Sequence, residues 1–250
     1  MEVFRVLCAG LLLSACGAAP TPNTRPDEEA RSGLRVGVVP ADATPVAGEA
    51  EVTIANSRPP ADFEQHAADV DWRDRLTPQD RRAMDELKET WGQAAEEAYG
   101  AGHGAELHAL GAAAEPAAGL PILNEPPQAD YVCRVSHIGS RTNGLAFITY
   151  PSFTCRIERT PEGRLQFTKM TGSQRTQGLL YRISASRMLY VGGQAWGAGD
   201  RRFPLYGDIH ERDHFGLLEQ LGDNHWRIVM PAPRQAQRLE IMEFWAPPQF

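Results

Sequence analysis

The sequence predicts a mainly β domain with an N-terminal helical segment, its strands forming an antiparallel meander that rolls into a small β-barrel, closed or partly open. Three observations carry this expectation. Beyond residue 130, apolar residues recur with period two in short runs punctuated by Gly, Pro, Asn and Ser. The strong helical pattern lies ahead of those runs and does not alternate with them. Finally, eight or nine consecutive short strands leave two exposed edges unless the sheet closes on itself. A two-sheet sandwich is the alternative.

The elements follow in chain order. Thr77-Pro78-Gln79-Asp80 reads as a helix start, with a capping hydroxyl, a proline at the first helical position and an acidic third residue. Met84, Leu87, Trp91, Ala95 and Ala98 then recur on one face, and Gly100 supplies the stop. The Trp91 stripe is core packing. A second helix is expected over 105–114, before the proline-broken stretch 120–127. Strands are expected at 131–138, 145–150, 153–158, 165–170, 179–183, 188–191, 215–221, 226–230 and 239–244.

The N-terminus gives an address. Leu13-Ser14-Ala15-Cys16 closes an apolar run over 6–15, about the length of a signal-peptide core and short of the roughly 20 residues that span a bilayer. A small-residue site ending in cysteine is where bacterial lipoproteins are cleaved and acylated. Residues 1–15 are therefore read as a lipoprotein signal peptide and Cys16 as the lipidated residue. Residues 16–69 are a mostly disordered tether, with short strands possible at 34–39 and 52–55. Residues 70–247 form a single domain, a helical unit at 70–115 and a β domain at 130–247. The expected location is the cell envelope, facing the periplasm, at the outer membrane, with the lipid anchor as the membrane contact.

Composition bounds the partners. Hydrophobic residues at 42% and aromatics at 8% suffice for a globular core. A net charge of −7, without a basic cluster, argues against nucleic acid as a partner and gives no patch for anionic lipid. Of the four cysteines, Cys8 leaves with the leader and Cys16 carries lipid. Cys133 and Cys155 remain for a disulfide in an oxidising compartment. Each lies on the apolar face of its own strand, in phase with Tyr131 and Val135 or with Phe153 and Ile157. The bridge would contribute roughly 3 kcal/mol.

No catalytic residue or cofactor is assigned. His210-Glu211-Arg212-Asp213-His214 matches H-E-x-x-H, which on a helix places two imidazoles one turn apart for zinc, with the glutamate activating a metal-bound water. A zinc-dependent hydrolase is therefore the alternative function, with His210 and His214 as ligands and Glu219, Glu240 or Glu243 as a third by assumption only. Against it, Gly207 and Gly216 crowd the segment, and a turn leading into a strand is the preferred reading. Gly192-Gly193-Gln194-Ala195-Trp196-Gly197 lacks the Gly-Lys-Ser/Thr ending of a phosphate loop and reads as a flexible strand connection. His103 and His108 fall on different helix faces. Ser173, Gln174 and Arg175 present three polar heads from a turn and, with Arg212 and Asp213, form the candidate binding residues. Arg175 is expected to pair with Asp213 or Asp208. The expected ligand is a small molecule, in a pocket lined by Tyr181, Tyr190, Trp196 and Phe203, or else an envelope protein.

Several blocks carry a resemblance: Asp71-Trp72-Arg73-Asp74, Tyr131-Val132-Cys133-Arg134, Phe153-Thr154-Cys155-Arg156, Lys169 to Arg175, Tyr206-Gly207-Asp208, Arg212-Asp213 and Trp226 to Pro231. In order and spacing they resemble a family of uncharacterised bacterial envelope proteins, domain of unknown function 4893, over about 71–247. The sequence departs from that pattern at Ser136-His137-Ile138-Gly139. The resemblance implies one unit of helix plus strands, and that Cys133 and Cys155 belong to the family pattern. It brings no activity with it.

Overall fold

The barrel closes through its longest strand. The computed structural model describes residues 72–246, apart from 151 and 198. Their strands are β1 (Ala129–Ser140), β2 (Phe147–Thr149), β3 (Phe153–Arg159), β4 (Leu165–Lys169), β5 (Gln174–Arg182), β6 (Met188–Trp196), β7 (Asp213–Gly222), β8 (His225–Pro231) and β9 (Gln237–Trp245). From β3 to β9 each strand pairs antiparallel with the next, and β9 returns to β1, with Val132 opposite Trp245 and Ser140 opposite Gln237. The other edge of β1 carries β3 along its first half and β2 along its second. Eight strands close the barrel and β2 is an extra strand. One continuous ladder replaces the sandwich alternative.

Two strands outrun their sequence pattern. The strand expected from 179 begins at Gln174, and the one expected over 188–191 continues to Trp196. Residues 192–196 are thus strand, not a flexible connection. Gly178 and Gly192 stand opposite each other, and a Cβ on Gly192 would lie 2.1 Å from the Gln177 carbonyl oxygen. These glycines permit close backbone approach and do not end the strand. The expected 145–150 run shortens to the three residues of β2.

The helical segment, α1 (Pro78–Asp85), α2 (Leu87–Gly100) and α3 (Gly104–Ala109), wraps the outside. The Thr77 hydroxyl accepts from the Asp80 N–H at 3.2 Å, with Pro78 at the first helical position. The single helix expected over 78–100 breaks at Glu86 because its apolar residues serve two walls. Met84 packs with Leu76, Leu189 and Phe215 on the outer faces of β6 and β7. Leu87, Trp91, Ala94 and Ala98 pack with Ile138, Val229, Leu239 and Ile241 on those of β1, β8 and β9. Ala94, not Ala95, completes the buried stripe. Gly139 lets α2 sit close: its φ is +70°, and a Cβ there would lie 2.9 Å from Ala94 Cα. The helix expected over 105–114 is α3 followed by a 3-10 turn at Gly111–Ala114.

Arg227 locks this segment to the barrel. Fully buried, it grips the Glu219 carboxylate with Nε and Nη2 at 2.9 and 2.6 Å. Its Nη1 donates to the carbonyls of Ala112, Ala113 and Glu115 at 2.8 to 3.0 Å, at the end of the 3-10 turn.

Inside, the period-two parity holds. Tyr131, Cys133, Cys155, Ile157, Phe167, Leu180, Tyr190, Leu218, Trp226, Ile228, Met242 and Phe244 fill one continuous core. Cys133 faces Phe153 and Cys155 faces Tyr131, so the thiols meet diagonally across the β1–β3 pair and form a disulfide with Cα atoms 5.9 Å apart. Ile122, from the proline-broken stretch, plugs the bottom; its carbonyl accepts from Arg182 Nη2 at 2.5 Å and its N–H donates to Ala185 O at 2.8 Å. The leader, Cys16 and the tether lie outside the described residues.

Candidate functional site

At the end opposite Ile122 the inward parity continues, but the residues turn polar. On β1, His137 follows Val135; on β9, Glu240 stands directly opposite His137, in phase with Met242. Lys169 continues Leu165 and Phe167 on β4, Thr176 continues Leu180 and Gly178 on β5, and Gln194 continues Tyr190 and Gly192 on β6. His214 precedes Gly216 and Leu218 on β7. These six side chains form a ring at one mouth of the barrel. All but His214 line a cleft of about 250 Å³, walled also by Val135, Tyr150, Phe153 and Met242, with Ser173 and Gln174 on its rim.

Charges in the ring are tightly held. His137 Nε2 donates to Glu240 Oε2 at 3.1 Å, and Gln237 Nε2 donates to the same oxygen at 3.2 Å. Burial alone would raise the Glu240 carboxyl. The bond and charge of His137, with the nearby His214 and Lys169, outweigh it and hold the group at about 2. Lys169 Nζ donates to Thr171 O at 2.9 Å and Gln174 O at 2.6 Å and lies 3.8 Å from the Phe153 ring centroid. Burial pushes its ammonium down to about 8, against the pull of Glu240 and with the push of Arg175. Burial also lowers His214, whose Nδ1 has no partner among the described residues. Thr176 Oγ1 lies 2.6 Å from the Tyr190 hydroxyl and donates to Gly193 O at 3.2 Å, tying the ring to the core beneath.

The sequence-derived candidates fall around this mouth in a different arrangement. Ser173 and Gln174 are exposed on its rim. Arg175 points to the outer face, where Nη2 donates to Gly197 O and Asp200 O at 3.2 and 2.6 Å beside the Phe203 ring. Arg212 reaches the same loop from the 3-10 turn just before β7, pairing with the Asp200 carboxylate at 2.7 Å beneath Trp196. Arg175 and Arg212 therefore meet at Asp200. Neither aspartate expected for Arg175 is its partner: Asp213 accepts from Gly207 N and His210 Nδ1, and Asp208 accepts from Leu205 N. The aromatic pocket does not assemble either. Tyr190 is in the core, and Tyr181 lies on the outer wall under the Arg75 guanidinium.

The H-E-x-x-H alternative fails on geometry. His210–Arg212 is a single 3-10 turn and β7 starts at Asp213, so His210 stands exposed outside while His214 turns into the barrel. Among the described residues no group of three or more His, Cys, Asp or Glu side chains is placed to hold a metal.

The sequence patterns assign no site role to His137, Lys169, Thr176 or Gln194, and point to Glu240 and His214 only as zinc ligands. A signal was present. Each continues, by steps of two, an inward apolar run that the period had already identified.

Comparison with known families adds one result. The family described as Domain of unknown function (DUF4893) matches residues 72–244. The chain belongs to the DUF4893 family. The matched span starts at the 3-10 turn Trp72–Arg75 and ends in β9, so the DUF4893 unit contains both the helical segment and the whole barrel. Curated proteins give no match.

Proposed function

We propose that this DUF4893 protein is a lipid-anchored envelope protein, acylated at Cys16 and facing the periplasm at the outer membrane, whose barrel binds a small ligand at its polar mouth. The observation that carries the binding half is the ring itself. A closed eight-stranded barrel has an interior that side chains can fill completely or that holds one small ligand. Here packing fills the floor and stops below a cleft of about 250 Å³. A buried lysine and a buried carboxylate stand in that cleft, although burying charge is costly and apolar filling was available. The lipoprotein half rests on the Leu13-Ser14-Ala15-Cys16 site and on the Cys133–Cys155 disulfide, which suits an oxidising compartment.

Native mass spectrometry of the full-length protein, released from membranes in mild detergent, tests both halves. The expected spectrum shows acyl mass on Cys16, lost in Cys16→Ser, and a one-to-one small-molecule adduct, lost in Gln194→Leu. A wild-type protein with no acyl mass overturns the anchor, and one with no adduct at any collision energy overturns the binding role.

A further inference from the structure

We infer that the mouth takes a small monocarboxylate with an apolar or aromatic body, its carboxylate received by Lys169 Nζ and the Gln194 amide. This rests on the binding reading above and names the ligand class.

The argument begins with donors. An ammonium carries three N–H groups, and Lys169 spends two of them on the carbonyls of Thr171 and Gln174. One remains, on a group that lines the cleft. Gln194 is oriented by Trp196, whose indole Nε1 donates to Gln194 Oε1 at 2.5 Å. Its other end is then the NH₂, which has no partner among the described residues and also lines the cleft. Ser173 and Gln174 add further donors at the rim.

Among acceptors, Glu240 Oε2 already takes bonds from His137 and Gln237, and the Thr176 hydroxyl is committed to Tyr190 and Gly193. The Lys169 and Gln194 donors therefore select a head group that accepts, and the ammonium favours a charged one. Charge then limits the head to a single negative charge. Lys169 offers one compensating charge, while Glu240 stands in the same cleft as a carboxylate and repels any second negative charge, as on a phosphate dianion.

The walls select the body. Val135, Met242, Phe153 and Tyr150 give the cleft an apolar and aromatic side. Its volume of about 250 Å³ lies below the ~300–1,000 Å³ of drug-sized pockets, so the ligand is small.

Methyl NMR of the full chain, labelled at methionine, tests this by following Met242 during titration with benzoate, benzamide and inorganic phosphate. Benzoate should shift the Met242 methyl saturably, with benzamide about tenfold weaker or more and phosphate without effect. Lys169→Gln and Gln194→Leu should each weaken benzoate by about tenfold; the second keeps the test decisive if the first fails to fold. Equal binding of benzamide and benzoate, or tighter phosphate, would overturn the carboxylate assignment while the binding role stands. No response of Met242 to any probe also overturns it, and the native mass spectrum judges the binding role separately.

Discussion

The floor and the mouth of the barrel are built from the same strands by the same parity, yet they obey opposite rules. In the floor, Phe167 meets Tyr190 and Phe244 at ring-centroid distances of 5.9 and 5.1 Å, and the Cys133–Cys155 bridge lies among them. Two or four residues further along the strands, the inward positions become Lys169, Thr176, Gln194 and Glu240. The floor buries apolar area, the usual source of folding free energy. The mouth buries charge, which stabilises only when fully paired. The difference teaches that strand alternation sets where side chains point, whereas the chemistry at each level sets whether they hold the fold or serve a ligand.

The largest effect expected from breaking the contrast lies in the floor. Phe167→Ala removes a fully buried ring from between two aromatic neighbours. It should cost about 3–5 kcal/mol in urea unfolding, because the surrounding closed barrel cannot collapse into the space. A loss below ~1 kcal/mol would mean that the floor is loosely packed and that the contrast with the mouth is false.

A smaller effect, with a definite sign, separates the two regions by pH. Glu240 sits at about 2 in the fold against an ordinary 4.5, so the unfolded chain takes up the proton first and stability is lost as pH falls from 4.5 toward 2. His214 is lowered from 6.5 by burial, so stability also drops as pH falls below 6.5. Lys169 is lowered to about 8 from 10.5; between those values the unfolded chain holds more protons, and this group makes stability rise with pH. All three belong to the mouth, where His137 acts on Glu240 and His214, and Glu240 and Arg175 act on Lys169; the floor holds none of them. Melting curves across pH should therefore lose the part of their acid limb below pH 4.5 in Glu240→Gln and lose the rise above pH 8 in Lys169→Gln. An unaltered profile in both variants would place the pH response elsewhere.

Much of this architecture is legible in the residues, for identifiable reasons. Thr77, Pro78 and Asp80 announce a helix because capping is local chemistry, and the strands follow from alternation, also local. The break at Glu86 was not legible, because it depends on two outer walls that exist only once the barrel has closed. Gly192 and Gly193 misled for a related cause. Glycine ends strands in isolation, but here a Cβ would strike the carbonyl oxygens of Gln177 and Pro204. The partner of Arg175 was missed because the loop bearing Asp200 has no pattern of its own, and Asp213 is spent on capping Gly207. The polar ring was legible in principle. His137, Lys169 and Glu240 keep step with Val135, Phe167 and Met242, and a polar residue in phase with a buried stripe at the same end of several strands marks a mouth.

The most direct test of the distinction is the unfolding free energy of Gln194→Leu. Gln194 is buried, lines the cleft, and bonds among the described residues only the exposed Trp196 indole. If the mouth serves a ligand, the apolar replacement should leave stability within ~0.5 kcal/mol of the wild type or raise it, by adding apolar burial without orphaning a core group. A loss of ~2 kcal/mol or more would make Gln194 part of the frame, as Arg227 is, and would contradict the account.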